Sequence, residues 1–190
     1  TAARARGAFD GRCRFWQGDI LDPHSFGTYQ YDLIYTERCL INLSDWETQK
    51  KAIGNIAKAL KPGGLYIMCE NSWDGLQCIN DLREEVGLPR IEPPGHNRYL
   101  RDEEIEEYAQ TPSKVAHYRD LFNLDGLRLA EYIDDYSGTY YFLSRVVNAA
   151  LTATEGKELD YDSPINKLAL TLPPIPGLRG QGRIWLWHKA

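Results

Sequence analysis

Apolar residues in the first part of the chain follow two patterns, short continuous runs and a helical repeat. The runs at 13–17, 31–36 and 65–70 are typical of buried strands. Between the last two runs, apolar residues recur at helical spacing over 46–60, which predicts an amphipathic helix. Strand, helix and strand in this order predict a βαβ unit, and therefore a sheet that is at least partly parallel.

Polar and turn-forming residues mark the ends of this helix. Ser44 and Glu47 have the spacing of a capping box at its start. Pro62, Gly63 and Gly64 follow its last apolar position and predict that the helix ends there. The third strand then begins at residue 65.

The second half of the chain predicts further elements in a looser pattern. They are a helix over 75–86, a loop over 87–99, a short helix over 103–109 capped by Asp102, and strands over 127–133 and 183–188. Residues 139–151 fit a strand or a helix equally well. The segment 134–182 is too long for a plain loop, so we expect a helical insertion before the last strand.

Composition excludes several classes of protein. The chain has 190 residues, 43% hydrophobic and 26% charged, which fits one globular domain and excludes disorder. A net charge of −5 gives no indication of a nucleic-acid partner, and no apolar run has the length of a membrane span. We expect the four cysteines (Cys13, Cys39, Cys69 and Cys78) to be free thiols of a cytoplasmic protein, with no metal or disulfide role.

Polar residues follow three of the predicted strands. Asp19 follows the first, Thr36 to Arg38 the second, and Glu70 to Ser72 the third. Parallel sheets bind ligands beyond the carboxyl ends of their strands. An acidic residue at such a position is also a common loop residue or helix cap, so the pattern alone leaves both interpretations open.

Three motifs occur in order along the first 70 residues. They are GDILD at 18–22, YDLIYTERCLINL at 31–43 and LKPGGLYIMCE at 60–70. Together they resemble the class I S-adenosylmethionine-dependent methyltransferases, whose third strand ends in Gly-Asp and whose fifth strand follows a Leu-Lys-Pro-Gly-Gly turn. The resemblance implies an α/β fold with a Rossmann-like sheet, mostly parallel, with an antiparallel final strand.

The resemblance also implies S-adenosyl-L-methionine as the cofactor and assigns residues to it. Asp19 would accept a hydrogen bond from the adenine amino group, and the backbone N–H of Ile20 would reach a ring nitrogen. The other cofactor contacts that it implies are Thr36, Glu37, Arg38 and Leu43.

Two features of that family are missing from the chain. A glycine-rich loop after the first strand and an acidic residue after the second normally precede the Gly-Asp strand, and residues 1–12 contain neither. We therefore expect residues 1–190 to form a single methyltransferase domain that lacks its N-terminal strands. A naturally short and degenerate protein is the alternative.

Candidate acceptor-site residues lie in three later segments. His96 is the first candidate catalytic residue because histidine titrates near neutral pH, with His24 and His117 as weaker alternatives; His188 belongs to the last predicted strand. Glu37 is the second candidate catalytic residue. The candidate substrate-binding residues are Glu70, Asn71, Asn97, Arg98, Tyr99, Tyr140 and Arg145. We interpret the insertion at 134–182, which includes Tyr136, Tyr141 and Tyr161, as a lid over the acceptor site; a packing or dimerisation element is the alternative.

The sequence therefore predicts a methyltransferase that O-methylates a small polar or glycan-type acceptor. Short stretches such as ENSWDGL resemble enzymes of polysaccharide biosynthesis. No membrane or nucleic-acid partner is expected, and the sequence allows a homodimer. The alternative function is a non-catalytic, methyltransferase-like subunit that supports an active partner. A nucleotide-linked oxidoreductase fits the motif spacing poorly.

Overall fold

A computed structural model describes residues 15–28, 30–113, 121–152 and 160–190 of the chain. Cys13 and His117 lie outside these residues, as does part of the strand predicted at 13–17. The described part of that run, 15–17, has no regular secondary structure, so the strand prediction is wrong there. The physical reason is pairing, since no strand in the described part of the chain lies beside it.

Four strands form one mixed sheet, as the sequence predicts. They are β1 (Tyr31–Glu37), β2 (Leu60–Asn71), β3 (Leu127–Ile133) and β4 (Gly182–Lys189). Their order across the sheet is β1-β2-β4-β3. β1 and β2 are parallel, and β4 runs antiparallel to both β2 and β3. The antiparallel final strand is therefore confirmed.

Six α-helices are described around this sheet: α1 (Trp46–Ala59), α2 (Trp73–Glu85), α3 (Asp102–Gln110), α4 (Gly138–Phe142), α5 (Asn148–Thr152) and α6 (Pro164–Ala169). A π-helical turn at Leu143–Val147 joins α4 to α5, and short 3-10 helices lie at Pro23–Phe26 and Leu40–Asn42. The ambiguous segment 139–151 is therefore helical, and the described parts of the insertion before β4, 134–152 and 160–181, contain helices, as predicted.

The caps of two helices differ from the sequence prediction by one residue. Asp45, and not Ser44, is the N-cap of α1; its Oδ1 accepts from the backbone N–H of Thr48 at 2.8 Å. Ser44 Oγ instead donates to Asp45 Oδ2 at 2.7 Å, so it supports the cap. Arg101 is the N-cap of α3, and Asp102 is that helix's first residue.

The core lies between α1 and the central strands of the sheet. α1 contributes Ile53 and Ile56, and β4 contributes Trp185 and Trp187, all with at most 2% of their surface exposed. Tyr108 of α3 covers the same core, with its ring centroid 5.8 Å from that of Trp187. Burying a large apolar side chain contributes about 1.5–3 kcal/mol, so this packing fixes α1 and the ends of β1 and β2 relative to each other.

Candidate functional site

Two neighbouring cavities lie at the carboxyl end of β1. The first has a volume of about 250 Å³, and Asp19, Ile20 and Thr36 line it. The second has a volume of about 370 Å³, and Glu37 and Arg38 line it. Consecutive residues of one strand end therefore form the wall between the cavities. This is the position at which parallel α/β sheets bind ligands.

The turn at Asp19 and Ile20 is held in place on both sides. Asp19 Oδ1 accepts from the backbone N–H of Leu21 at 2.9 Å, and Asp19 N–H donates to Ser25 Oγ at 2.9 Å. The carbonyl oxygen of Ile20 accepts from Asn55 Nδ2 of α1 at 3.1 Å. Within the described residues, Asp19 Oδ2 and the Ile20 N–H have no protein partner. An acceptor and a donor at adjacent residues thus stay available beside the cavity.

The other walls of the first cavity are mostly apolar. Trp16, Phe26, Ile34 and Ile56 line it. Trp16 is held by a hydrogen bond from its Nε1 to the carbonyl oxygen of Ser25, 3.0 Å long. Apolar walls with a few fixed polar groups are typical of small-molecule sites, and this combination suits a flat heterocycle with a polar edge.

Thr36 forms part of the floor of the first cavity. The residue is buried, and its Oγ1 lies 2.9 Å from the hydroxyl of Tyr66 on β2. Burial raises the pKa of Tyr66 well above its ordinary value, and the nearby Glu70 raises it further. The Thr36 hydroxyl is therefore engaged by a neutral phenol and positions the strand end.

Glu70 holds the turn that follows β1. Its Oε1 accepts from the backbone N–H groups of Cys39 and Leu40, both at 3.1 Å, and its Oε2 from that of Ile41 at 3.4 Å. Burial raises the pKa of Glu70, while these three N–H groups act in the opposite direction. Glu70 also lines the second cavity.

Arg38 takes an unusual backbone conformation at this turn. Its φ is 49°, in the left-handed region that non-glycine residues rarely adopt, and its N–H donates to the carbonyl oxygen of Cys69 at 2.9 Å. Burial would lower the pKa of the Arg38 guanidinium, but Tyr141 and Tyr161 outweigh burial, so the pKa is raised. Arg38 stays charged beside the second cavity.

The second cavity contains polar groups without protein partners. Asn71 is 2% exposed, and its Nδ2 has no hydrogen-bond partner in the described part of the chain. The hydroxyl of Tyr140 is likewise buried without one. A buried polar group without a partner costs about 1–3 kcal/mol, so these two groups mark where a ligand oxygen would be favourable.

Tyrosines of the insertion form one side of the second cavity. Tyr136, Tyr140, Tyr141 and Tyr161 all line it. The Tyr136 hydroxyl lies 3.2 Å from Cys69 Sγ of β2. Burial raises the pKa of the Cys69 thiol, so this group stays protonated at neutral pH.

Six of the residues predicted from the sequence line neither cavity: Leu43, His96, Asn97, Arg98, Tyr99 and Arg145. Leu43 packs against the core below α1. His96 is exposed in the turn of the 87–99 loop. Tyr99 is buried, and its hydroxyl accepts from Gln181 Nε2 at 3.3 Å.

The remaining three make contacts that hold the fold. Asn97 Nδ2 donates to Asn42 Oδ1 at 3.0 Å. Arg98 pairs with Glu104 and donates to Gln49 Oε1 at 2.6 Å. The guanidinium carbon of Arg145 lies 5.9 Å from the ring centroid of Tyr141, so Arg145 supports a cavity wall from behind.

The sequence missed several lining residues. In the first cavity they are Trp16, Phe26 and Tyr35; in the second they are Cys69, Ser137, Thr139, Leu170 and Leu172. Cys69 directly precedes a predicted strand exit, so it had a usable signal. The missed residues of the insertion had no individual signal in the sequence, because the path of a long insertion depends on tertiary contacts.

Solved structures with a similar fold include methyltransferases and a cyclase. A S-adenosylmethionine-dependent methyltransferase from Clostridium acetobutylicum ATCC 824 is 14% identical, with a TM-score of 0.52, and the match covers 99% of this chain and 70% of that one. A chain from the complex of the Haloferax volcanii Trm112 methyltransferase activator with a methyltransferase is 18% identical, with a TM-score of 0.50 and coverage of 99% and 66%. The [4+2]-cyclase SpnF is 17% identical, with a TM-score of 0.48 and coverage of 99% and 59%.

No protein-family model and no curated protein matches the chain. The chain spans between 59% and 70% of the length of the three structures named above. In its described residues, no helix has the length and apolar character to cross a membrane. The chain therefore shares its fold with S-adenosylmethionine-dependent methyltransferases, over a part of their length.

Proposed function

We propose that the protein is a S-adenosylmethionine-dependent methyltransferase that O-methylates a small polar or glycan-type acceptor. The observation that carries this proposal is the pair of neighbouring cavities at the end of β1, one with the polar edge expected for a cofactor and one with unpartnered polar groups. The proposal includes a cytoplasmic location and a role in polysaccharide biosynthesis.

The residues of the first cavity fit the adenosine part of S-adenosylmethionine. Asp19 Oδ2 is an acceptor for an exocyclic amino group, and the Ile20 N–H is a donor for a ring nitrogen. Trp16, Phe26 and Ile34 provide apolar surface for the ring faces. Bound in this way, the cofactor supplies a methyl group on a positively charged sulfur, which an acceptor oxygen can attack.

The second cavity would hold the acceptor. Asn71 Nδ2 and the Tyr140 hydroxyl are placed to bind acceptor oxygens, and the insertion at 134–182 closes one side as a lid. Glu37 lines the second cavity and directly follows Thr36, which lines the first, so it is the carboxylate that we assign to take a proton from the acceptor hydroxyl. His96, outside both cavities, is a weaker candidate for that role. Positioning of the two reactants supplies a large part of such a rate enhancement.

Calorimetric titration of the chain with S-adenosylhomocysteine tests the cofactor site. We expect binding, and Asp19→Ala should weaken it by about 1–3 kcal/mol, roughly five- to 150-fold in Kd, since an adenine donor would lose its partner. Asp81→Ala, which removes an exposed carboxylate of α2, is the matched control and should leave Kd unchanged. Absence of binding by the unaltered chain, or equal losses in both variants, would contradict the proposal.

A transfer assay distinguishes an enzyme from a non-catalytic subunit. Protein that binds S-adenosylhomocysteine should also transfer a radiolabelled methyl group from S-adenosylmethionine to a hydroxyl group of at least one sugar in a panel. The Glu37→Gln variant should lower kcat by more than it raises KM. Binding without transfer to any hydroxyl acceptor would favour the subunit.

A further inference from the structure

The second cavity has an apolar side that a purely polar acceptor does not use. Leu170 and Leu172 line the cavity and are still 68% and 42% exposed. Ile175, at 48% exposed, follows them along the chain. We call these three residues the apolar rim. Single exposed apolar residues are ordinary, but two of these line one cavity and the third follows within three residues of Leu172.

Hydrogen bonds fix the apolar rim against the cavity wall. Thr139, which lines the cavity, donates from its Oγ1 to the carbonyl oxygen of Pro173 at 3.1 Å. The backbone N–H of Ile175 donates to the same Oγ1 at 2.8 Å. The rim is therefore part of the site's architecture, held by a buried threonine.

The same cavity also has polar lining residues. They include Glu37, Arg38 and Asn71, and Asn71 Nδ2 is unpartnered in the described residues. A molecule that satisfied both the polar and the apolar lining would carry both oxygen atoms and hydrocarbon. A cavity of about 370 Å³ is near the lower end of the range of about 300–1,000 Å³ for ligand pockets, so a polar head would fill it and a chain would extend outward over the rim.

We propose that the acceptor is amphipathic, with a polar, hydroxyl-bearing head in the second cavity and a hydrocarbon chain lying across the apolar rim. The inference rests on the proposed methyl transfer for the identity of the head as an acceptor. The hydrocarbon part is assigned to the rim because Leu170 and Leu172 line the cavity and remain exposed, and Ile175 is exposed close to them in the sequence. A second copy of the protein covering the same rim is the competing occupant.

Titration with compounds of increasing alkyl-chain length tests the rim directly. The unaltered protein is titrated by calorimetry with methyl, hexyl and octyl β-D-glucopyranoside below their micelle concentrations, and separately with 1-butanol, 1-hexanol and 1-octanol. We expect each added methylene to lower Kd by about two- to fourfold, as partial to full burial of the group predicts. Kd values that do not change with chain length in either series would overturn the proposal.

Two exposed leucines of the insertion give a matched pair of variants. Leu170→Ser removes a rim residue, whereas Leu151→Ser removes a leucine that is 77% exposed and lies outside the cavity lining. Leu170→Ser should abolish most of the chain-length dependence and Leu151→Ser should retain it. Equal losses in both variants would show that the alkyl chains bind elsewhere and would overturn the proposal.

The glucosides and the alkanols differ in their head groups, so comparing them distinguishes a failure of this inference from a failure of the proposed function. Chain-length dependence with alkanols but not with glucosides would support the rim and contradict a glycan-type head. Rim-dependent binding in a protein that fails to bind S-adenosylhomocysteine would support the rim and contradict methyl transfer. Sedimentation of the same proteins tests the competing occupant, since a dimer that dissociates in Leu170→Ser would overturn the proposal.

Discussion

At the scale of single residues, Glu70 holds the turn after β1 through three hydrogen bonds. Its carboxylate accepts from three backbone N–H groups, and no other acceptor for them is described. Since each buried donor without a partner costs about 1–3 kcal/mol, we expect Glu70→Ala to lower the free energy of unfolding by about 3 kcal/mol or more. Urea denaturation measures the change.

Glu85→Ala provides the control for the Glu70 substitution. Glu85 is exposed at the end of α2, so its removal should change the free energy of unfolding by no more than about 0.5 kcal/mol. A loss below about 1 kcal/mol in Glu70→Ala would show that water replaces the carboxylate and that the turn does not depend on it.

The sequence predicted the position of a candidate site residue where that residue lies at the end of a strand. Thr36 and Glu37 lie at the carboxyl end of β1 as predicted, because parallel strands present their carboxyl ends at one edge of the sheet. Asp19 lines the first cavity although no strand is formed over 15–17, so its position does not follow from a strand end. His96 and Arg98 could not be placed, because the path of the 87–99 loop depends on contacts such as that from Arg98 N–H to the carbonyl oxygen of Ile41, 2.7 Å long. No local pattern encodes such a contact.

Between elements, close backbone packing is found where the segment leading into β4 crosses α2. A Cβ on Gly75 would lie 2.2 Å from the carbonyl oxygen of Gly180, a backbone atom that cannot rotate away. The same segment is bound to the chain before α2, since Ser72 N–H donates to the carbonyl oxygen of Gln181 at 2.7 Å. The glycine thus permits β4 to enter the sheet beside β2.

Gly75→Ala should therefore destabilise the protein by about 1–3 kcal/mol, the usual cost of overpacking. Gly95→Ala is the matched control, because a Cβ there would meet no atom within 4 Å. Guanidinium denaturation of both variants measures the difference. Equal stability of the two would mean that the segment before β4 shifts freely, contrary to the packing described.

Element-level prediction was strongest for helices and weakest for isolated apolar runs. The helical repeat over 46–60 located α1 to within one residue at its end, because amphipathic periodicity is local information. The run at 13–17 has equally apolar residues, yet Phe15 and Trp16 are about half exposed. A strand requires a neighbour, and its neighbour cannot be deduced from the run itself.

Across the whole molecule, tyrosines connect the core to the site. Tyr66 lies under the first cavity, Tyr108 joins α3 to the core, and Tyr136 and Tyr141 line the second cavity. Burial raises the pKa of each, to about 12 for Tyr141. The folded state therefore holds protons that the unfolded chain releases from about pH 10 upward.

The free energy of unfolding should consequently fall as the pH rises above about 10, by about 1.4 kcal/mol per pH unit for each of the buried tyrosines Tyr66 and Tyr108. Tyr136 is partly exposed and contributes less, because solvent screens its charge. Tyr66→Phe isolates one contribution. Below about pH 9 the variant should be less stable by about 1 kcal/mol, because the contact with Thr36 Oγ1 is lost. Above about pH 10 that gap should shrink, since the variant no longer has this phenol to deprotonate on unfolding.

Thr36→Val separates the hydrogen bond from the titration. It removes the same contact but keeps the Tyr66 phenol, so its stability gap to the unaltered protein should stay constant from about pH 8 to about pH 11. Urea denaturation across this range measures both gaps. If the stability difference between Tyr66→Phe and the unaltered protein also stays constant, then burial does not keep Tyr66 protonated. The neutral phenol beneath the end of β1 would then not be a fixed feature of the fold.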